Sequence, residues 1–231
     1  MQVQALFFDM DDTLLNDASS FRLAATKVCA EIHAGIDAAR LASTYAEVAE
    51  SFWSKQPWVT GDFKSVRVQL WRSALSACGC DDESLAVEAS RLYAAYRLEI
   101  YELYADTQHV LEALAGRHRL AVITNGDGAT QRNRLRLSGL DRYFDLVVAA
   151  TDLDSGKPDP AIFRHALTGL GLKADDVWHI GDRLDSDVLG ALNTGLTAVW
   201  LNRGGVVRDP DHPAPHHEIA SLAELPKLVS S

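Results

Sequence analysis

Residues 3–8 form a short apolar and aromatic run, interrupted only by Gln4, that stops at Asp9. A run of that length with no alternation is the pattern of a strand buried on both faces. From residue 17 to 103 the pattern changes to Ala-rich segments with apolar positions at helical spacing, predicting helices over 21–33, 38–55, 63–78 and 84–103. Pro57, with Gly61 and Asp62, breaks the second segment from the third, and Gly79 with Asp81 and Asp82 supplies the last break and a helix cap. After Tyr104 helix and strand alternate. Helices are expected at 107–116, 130–138, 160–170 and 186–193, and strands at 119–123, 144–149, 177–180 and 197–201. That rhythm predicts a parallel sheet of α/β class, flanked by helices and built from 1–16 and 104–231, with an all-helical insert at 17–103. Residues 203–217 have the Pro, Gly, Asp and His content of a loop, and a short amphipathic segment at 222–229 ends the chain without any internal repeat.

Size and charge narrow the chemistry. A chain of 231 residues, 47% hydrophobic, can bury one good core plus a smaller one. A net charge of −10 disfavours a nucleic-acid partner, whose phosphates are bound through Lys and Arg, and favours a small substrate. Cys29, Cys78 and Cys80 have no metal-finger spacing and read as reduced thiols of a cytoplasmic protein. No basic leader precedes the first strand, and no apolar stretch approaches the ~20 residues of a membrane helix, so no membrane partner is expected. A monomer is expected.

The polar motifs fall where such a sheet binds ligands. Asp9, Thr124 and Asp182 each follow a separate expected strand, at the C-terminal edge where open α/β sheets place their sites. Asp9 and Asp11 are two residues apart, a spacing that delivers a nucleophile and an acid/base together and points to phosphoryl chemistry.

Four segments in order, DMDDT (9–13), VITNG (122–126), GKPDP (156–160) and GDRLDSD (181–187), make the chain resemble the haloacid dehalogenase (HAD) superfamily over its whole core. The resemblance implies a Rossmann-like core. The helical insert looks like a type-1 cap, and residues 125–156 are too few for a second large cap. Asp12, where Gly is more usual, is similar to the first motif of the N-acylneuraminate-9-phosphatase and pyrimidine-nucleotidase branches.

The implied activity is hydrolysis of a small phosphate monoester through an aspartyl-phosphate, with Mg²⁺ as cofactor. An anionic nucleophile attacking an anionic ester needs positive charge nearby. Asp9, the Asp11 carbonyl and Asp182 would hold Mg²⁺, with Asp187 supporting that shell. Asp9 would attack phosphorus, while Asp11 protonates the leaving alkoxide and then activates water. Thr124, Asn125 and the Gly126 backbone would donate to phosphate oxygens, and Lys157 would pair with Asp9 and the phosphate. Thr13 would tether the first loop through its hydroxyl. Singly, each of these residues has a bland reading as a cap, a solvated lysine or a strand-end hydroxyl. Their ordered occurrence at strand ends is what carries the assignment.

Other polar residues receive plainer readings. Asp12 and Asp185 read as turn or capping carboxylates, and Arg183 as a local partner of Asp185 or Asp187. His212, His216 and His217 lie in a Pro-rich loop without rigid ligand geometry and read as solvated. Trp53 and Trp71 read as core residues of the insert, and Trp58, in the break, as the aromatic best placed to face a substrate. Arg67, with Lys64 and Arg72, is a candidate to read a second anionic group, so Trp58 and Arg67 are the cap specificity candidates.

Phosphomutase action on a sugar phosphate is the nearest alternative, because the same aspartyl-phosphate can return its phosphoryl group to a sugar. Dehalogenation makes no alkoxide to protonate, so Asp11 argues against it. Phosphonate cleavage would need a Schiff-base lysine, for which Lys27, Lys55 and Lys64 show no sign. A catalytically silent binding module is the alternative of a different class, and the intact motif set weighs against it.

Overall fold

The computed structural model describes residues 3–32, 35–56, 58–59 and 62–230. It divides into two compact units, one comprising Met1–Asn16 with Leu103–Ser231 and the other Asp17–Glu102. The expected helix end at His33 and the breaks at Pro57 and Gly61 lie outside the described residues.

The first unit carries a six-stranded parallel sheet of α/β, Rossmann-like class, in the order β3-β2-β1-β4-β5-β6. Its strands are β1 (Ala5–Phe8), β2 (Arg119–Thr124), β3 (Leu146–Ala149), β4 (Val177–Gly181), β5 (Thr197–Leu201) and β6 (His217–Ile219). All four residues of β1 are buried, as its unbroken apolar run requires of a central strand. Alternate residues serve opposite layers. Leu6, Phe8, Leu120, Val122 and Ile180 join one core, and Ala5, Phe7, Ala121, Ile123 and Val177 join another on the opposite face.

The helical unit contains α1 (Asp17–Glu31), α2 (Ala38–Trp53), α3 (Phe63–Ala77) and α4 (Glu83–Glu99). Asp37, Asp62 and Asp82 cap the last three by accepting main-chain N–H groups of the first turn. Its core is aromatic: fully buried Trp71 stacks on Tyr45 at 3.8 Å, and Tyr93 meets both rings edge-on. The sheet unit adds α5 (Thr107–Leu114), α6 (Gly128–Ser138), α7 (Ala150–Leu153), α8 (Pro160–Leu170), α9 (Leu189–Thr194) and α10 (Leu225–Leu228). No described helix is long and apolar enough to cross a membrane.

Several features differ from the sequence expectation, among them α7, which was not expected, and the end of α4 at Glu99 rather than 103. The helix expected over 186–193 is a π-helical turn, Leu184–Val188, followed by α9. The expected loop over 203–217 ends in a strand, because His217 begins β6, which pairs with β5. His216 and His217 are accordingly not simply solvated. The Nδ1 of His216 accepts the Ala198 N–H at 2.9 Å, and the His217 ring stacks on Trp178. Asp17 and Gly128 start α1 and α6 earlier than the apolar periodicity indicates, since first turns are polar.

Candidate active site

The strand order explains why distant motifs meet. β2 and β4 flank β1, with β2 and β3 on one side and β4 to β6 on the other, so the chain switches direction at β1. Residues leaving the C-terminal ends of these three strands share one crevice. Asp9 leaves β1 with its N–H still donating to Ile180 O at 2.9 Å. The following loop closes tightly, Leu14 and Leu15 both donating to Met10 O, and Asp12 takes a φ of +57°. Glycine is favoured in that region and aspartate tolerates it, which accounts physically for either residue at position 12.

Lys157 is the centre of charge. Its buried ammonium donates to Asp9 Oδ1 and, at 2.7 Å, to Asp187 Oδ1. Asn125 fixes the peptide of Lys157, accepting its N–H at 2.7 Å and donating to its carbonyl at 2.9 Å. The Asn125 side chain therefore positions Lys157. Thr124 Oγ1 accepts from Gly126 N–H and from Gln131 Nε2, each at 3.1 Å, so its single hydroxyl proton is left to donate. Thr13, fully buried, is 3.5 Å from Asp182 Oδ1.

Oxygens of Asp9, Asp182 and Asp187 lie within 4.8 Å of one another. Burial, then repulsion from Asp187 and Asp11, pushes the Asp9 carboxyl up to about 7 against the pull of Lys157. Burial and then Asp9 push Asp182 well above the usual carboxylate range. Asp187 goes the other way: burial works to raise it, but Lys157 and His179 hold it below the ordinary value. Burial tends to lower Lys157, and Asp187 with Asp9 more than compensates, so the ammonium stays charged. His179 is lowered by burial despite Asp187. Three carboxylates thus face one ammonium, an all-oxygen, excess-negative donor set suited to a hard divalent cation. Asp187 is the most engaged, Oδ1 by Lys157 and His179 and Oδ2 by Arg183 N–H at 3.1 Å, which leaves Asp9 and Asp182 freer to ligate.

The Asp11 carboxylate is directed to α6, where it accepts from Arg134 and Gln131. A metal contact through its carbonyl is independent of that side-chain direction. Arg183 pairs with Asp185 rather than Asp187 through its guanidinium. A cavity of about 400 Å³ lies beside the site, lined by Asp12, Tyr104, Asp182, Arg183, Trp200 and His212. Trp58 and Arg67 belong to the helical unit, both half-buried, Arg67 on α3 with a buried Nε that has no hydrogen-bond partner.

Residues 3–195 match the family model of the haloacid dehalogenase-like hydrolases. The chain belongs to that family. Among relatives of this haloacid dehalogenase-like hydrolase, the N-acylneuraminate-9-phosphatase of Rattus norvegicus is 33% identical, covering 100% of this chain and 95% of its own. The pyrimidine 5'-nucleotidase YjjG of Escherichia coli is 31% identical, covering 97% and 96%. Among solved structures, the magnesium-bound HAD-hydrolase YfnB from Bacillus subtilis shares the fold with a TM-score of 0.83 at 23% identity, covering both chains fully. A 2-haloacid dehalogenase from Pseudomonas syringae is 30% identical with a TM-score of 0.71, covering 99% of each chain.

Three side chains at the site of this HAD-like hydrolase escape the motif reading: His179 within β4, and Gln131 and Arg134 on α6. The available signals were a histidine inside an apolar strand and two polar residues at i and i+3 soon after the second motif.

Proposed function

We propose that the protein is a Mg²⁺-dependent phosphatase of small phosphate monoesters, acting through an aspartyl-phosphate on Asp9. The observation that carries this reading is the buried Lys157 joining Asp9 to Asp187 beside Asp182, with a second carboxylate, Asp11, two residues from Asp9. A divalent cation held by Asp9, Asp182 and the Asp11 carbonyl would supply the positive charge that lets an anion approach a phosphate. The Thr124 hydroxyl and the second amide hydrogen of Asn125 orient the phosphoryl group, the Gly126 N–H acts through Thr124 Oγ1, to which it donates, and Lys157 neutralises charge on the phosphoryl oxygens. An Asp9 oxygen attacks phosphorus as the ester P–O bond breaks, and Asp11 gives its proton to the departing alkoxide. Water then attacks the aspartyl-phosphate, its proton passing to Asp11, and phosphate leaves with Asp9 restored.

The helical unit is proposed as the cap that sets specificity, with Trp58 and Arg67 as the reading residues. The names of the relatives put acylneuraminate 9-phosphates and pyrimidine nucleotides first in a substrate screen. The proposal is for a cytoplasmic monomer. A dehalogenase reading rests on the names of several solved neighbours and leaves Asp11 without a task, since halide departs unprotonated.

The test is phosphate release from p-nitrophenyl phosphate with and without Mg²⁺. Turnover that requires the metal and falls by roughly a thousandfold or more in Asp9→Asn is expected. Turnover that survives Asp9→Asn would remove the covalent mechanism.

A further inference from the structure

α6 carries three arginines, and they meet different fates. Arg132 pairs with Asp152 and Arg136 with Asn133 near the surface, whereas Arg134 is buried to 2% exposure. A guanidinium is costly to bury unless acceptors meet it. Here Arg134 Nη1 donates to Asp11 Oδ1 at 2.6 Å and to Gln131 Oε1 at 3.0 Å. Gln131, one turn earlier on the same face and equally buried, donates from Nε2 to Asp11 Oδ2 at 2.6 Å and to Thr124 Oγ1 at 3.1 Å. Space for this amide comes from Gly126, where a Cβ would stand 2.5 Å from Gln131 Nε2. Both oxygens of Asp11 are therefore held from one helix, and the same amide reaches the threonine proposed to bind phosphate.

We propose that Gln131 and Arg134 are positioning residues for the acid/base Asp11, a two-pronged clamp that sets where its carboxylate meets the leaving oxygen. The assignment rests on the phosphatase reading above. Neither residue touches the reacting atoms; each acts through Asp11, and Gln131 also through Thr124. A bidentate hold fixes both distance and orientation of a carboxylate, which a single hydrogen bond does not.

A clamp of this kind acts on one part of the reaction, protonation of the leaving group. Esters of strongly basic alcohols need that proton, and esters of acidic phenols leave without it. The experiment compares kcat/KM for phenyl phosphate and dinitrophenyl phosphate in the wild type, Arg134→Met, Gln131→Leu, Arg134→Lys and Asp11→Asn, with melting temperatures recorded for each. The ratio of phenyl to dinitrophenyl turnover is expected to fall roughly a hundredfold in Arg134→Met and in Gln131→Leu, as in Asp11→Asn. Arg134→Lys is expected to recover part of the ratio. The double variant Arg134→Met/Asp11→Asn is expected to show little loss beyond Asp11→Asn alone. An unchanged ratio in folded Arg134→Met or Gln131→Leu, or a loss equal for both esters, overturns the clamp. Should Arg134→Met fail to fold, Gln131→Leu and Arg134→Lys decide by the same ratio. Absence of turnover of either ester by the wild type would instead sink the phosphatase reading, so the two failures are distinguishable.

Discussion

Lys157 shows how much a single side chain carries in this site. It is the ammonium that faces Asp9 and Asp187 in a buried cluster whose carboxylates repel one another. Removing one partner of such a cluster leaves charges buried without compensation. Lys157→Met is expected to destabilise the metal-free protein by about 3–5 kcal/mol near neutral pH, measured by urea unfolding. A loss below about 1 kcal/mol would mean that the ammonium does not hold the carboxylates together. At this scale the sequence was most legible where the proposed chemistry asks for a residue type at a set spacing, as for Asp9, Asp11, Thr124, Lys157, Asp182 and Asp187. Gln131 and Arg134 were not legible. α6 is so polar along its length that no apolar stripe marks which face turns inward, and a buried arginine there looks like a solvated one.

Among the elements, the end of β4 has the least room. Gly181 closes the strand, and a Cβ there would stand 2.2 Å from Asp187 Cγ, on the π-helical turn that follows. The strand and the turn can approach only because position 181 has no side chain. Gly181→Ala is expected to push Asp187 from Lys157 and His179, lowering stability by about 1–3 kcal/mol. Its effect on p-nitrophenyl phosphate hydrolysis should appear mainly in kcat. Unchanged melting temperature and kcat would show that the turn relaxes freely. The alternation of helix and strand was readable because short continuous apolar runs differ sharply from apolar positions at helical spacing. The π-helical turn and β6 were not, since a turn filled with Asp and a three-residue edge strand among Pro and His carry no period to detect.

For the molecule as a whole, the raised Asp9 carboxyl couples folding to pH and metal. An unfolded aspartate releases its proton near 4, and the folded Asp9 near 7, so between these values the folded state binds more protons. The Asp9 contribution is therefore fully present below the unfolded value and is lost as pH rises through about 7. His179, held neutral by burial, works the other way, its contribution growing as pH rises from its lowered folded value to its unfolded value and complete above that. Comparison of Mg²⁺ with chelator at each pH isolates the acidic cluster. The increase in melting temperature produced by Mg²⁺ is expected to be larger at about pH 8 than at about pH 5, where protons compete for the same oxygens. An equal increase at both would place the metal's stabilising effect elsewhere.

The sequence alone determined the class of fold, the order along the chain of every strand but β6, and the motif residues that the proposed chemistry would use. Those follow from local physics: apolar period, helix caps, and carboxylates at fixed spacing after a strand. Tertiary structure decided which distant side chains share a charge. Only the pairing of β1 with both β2 and β4 brings Lys157 to Asp9 and Asp187. Only the inward face of α6 brings Arg134 and Gln131 to Asp11. Such partners are set by packing across the sheet, where direction in space matters and distance along the chain does not.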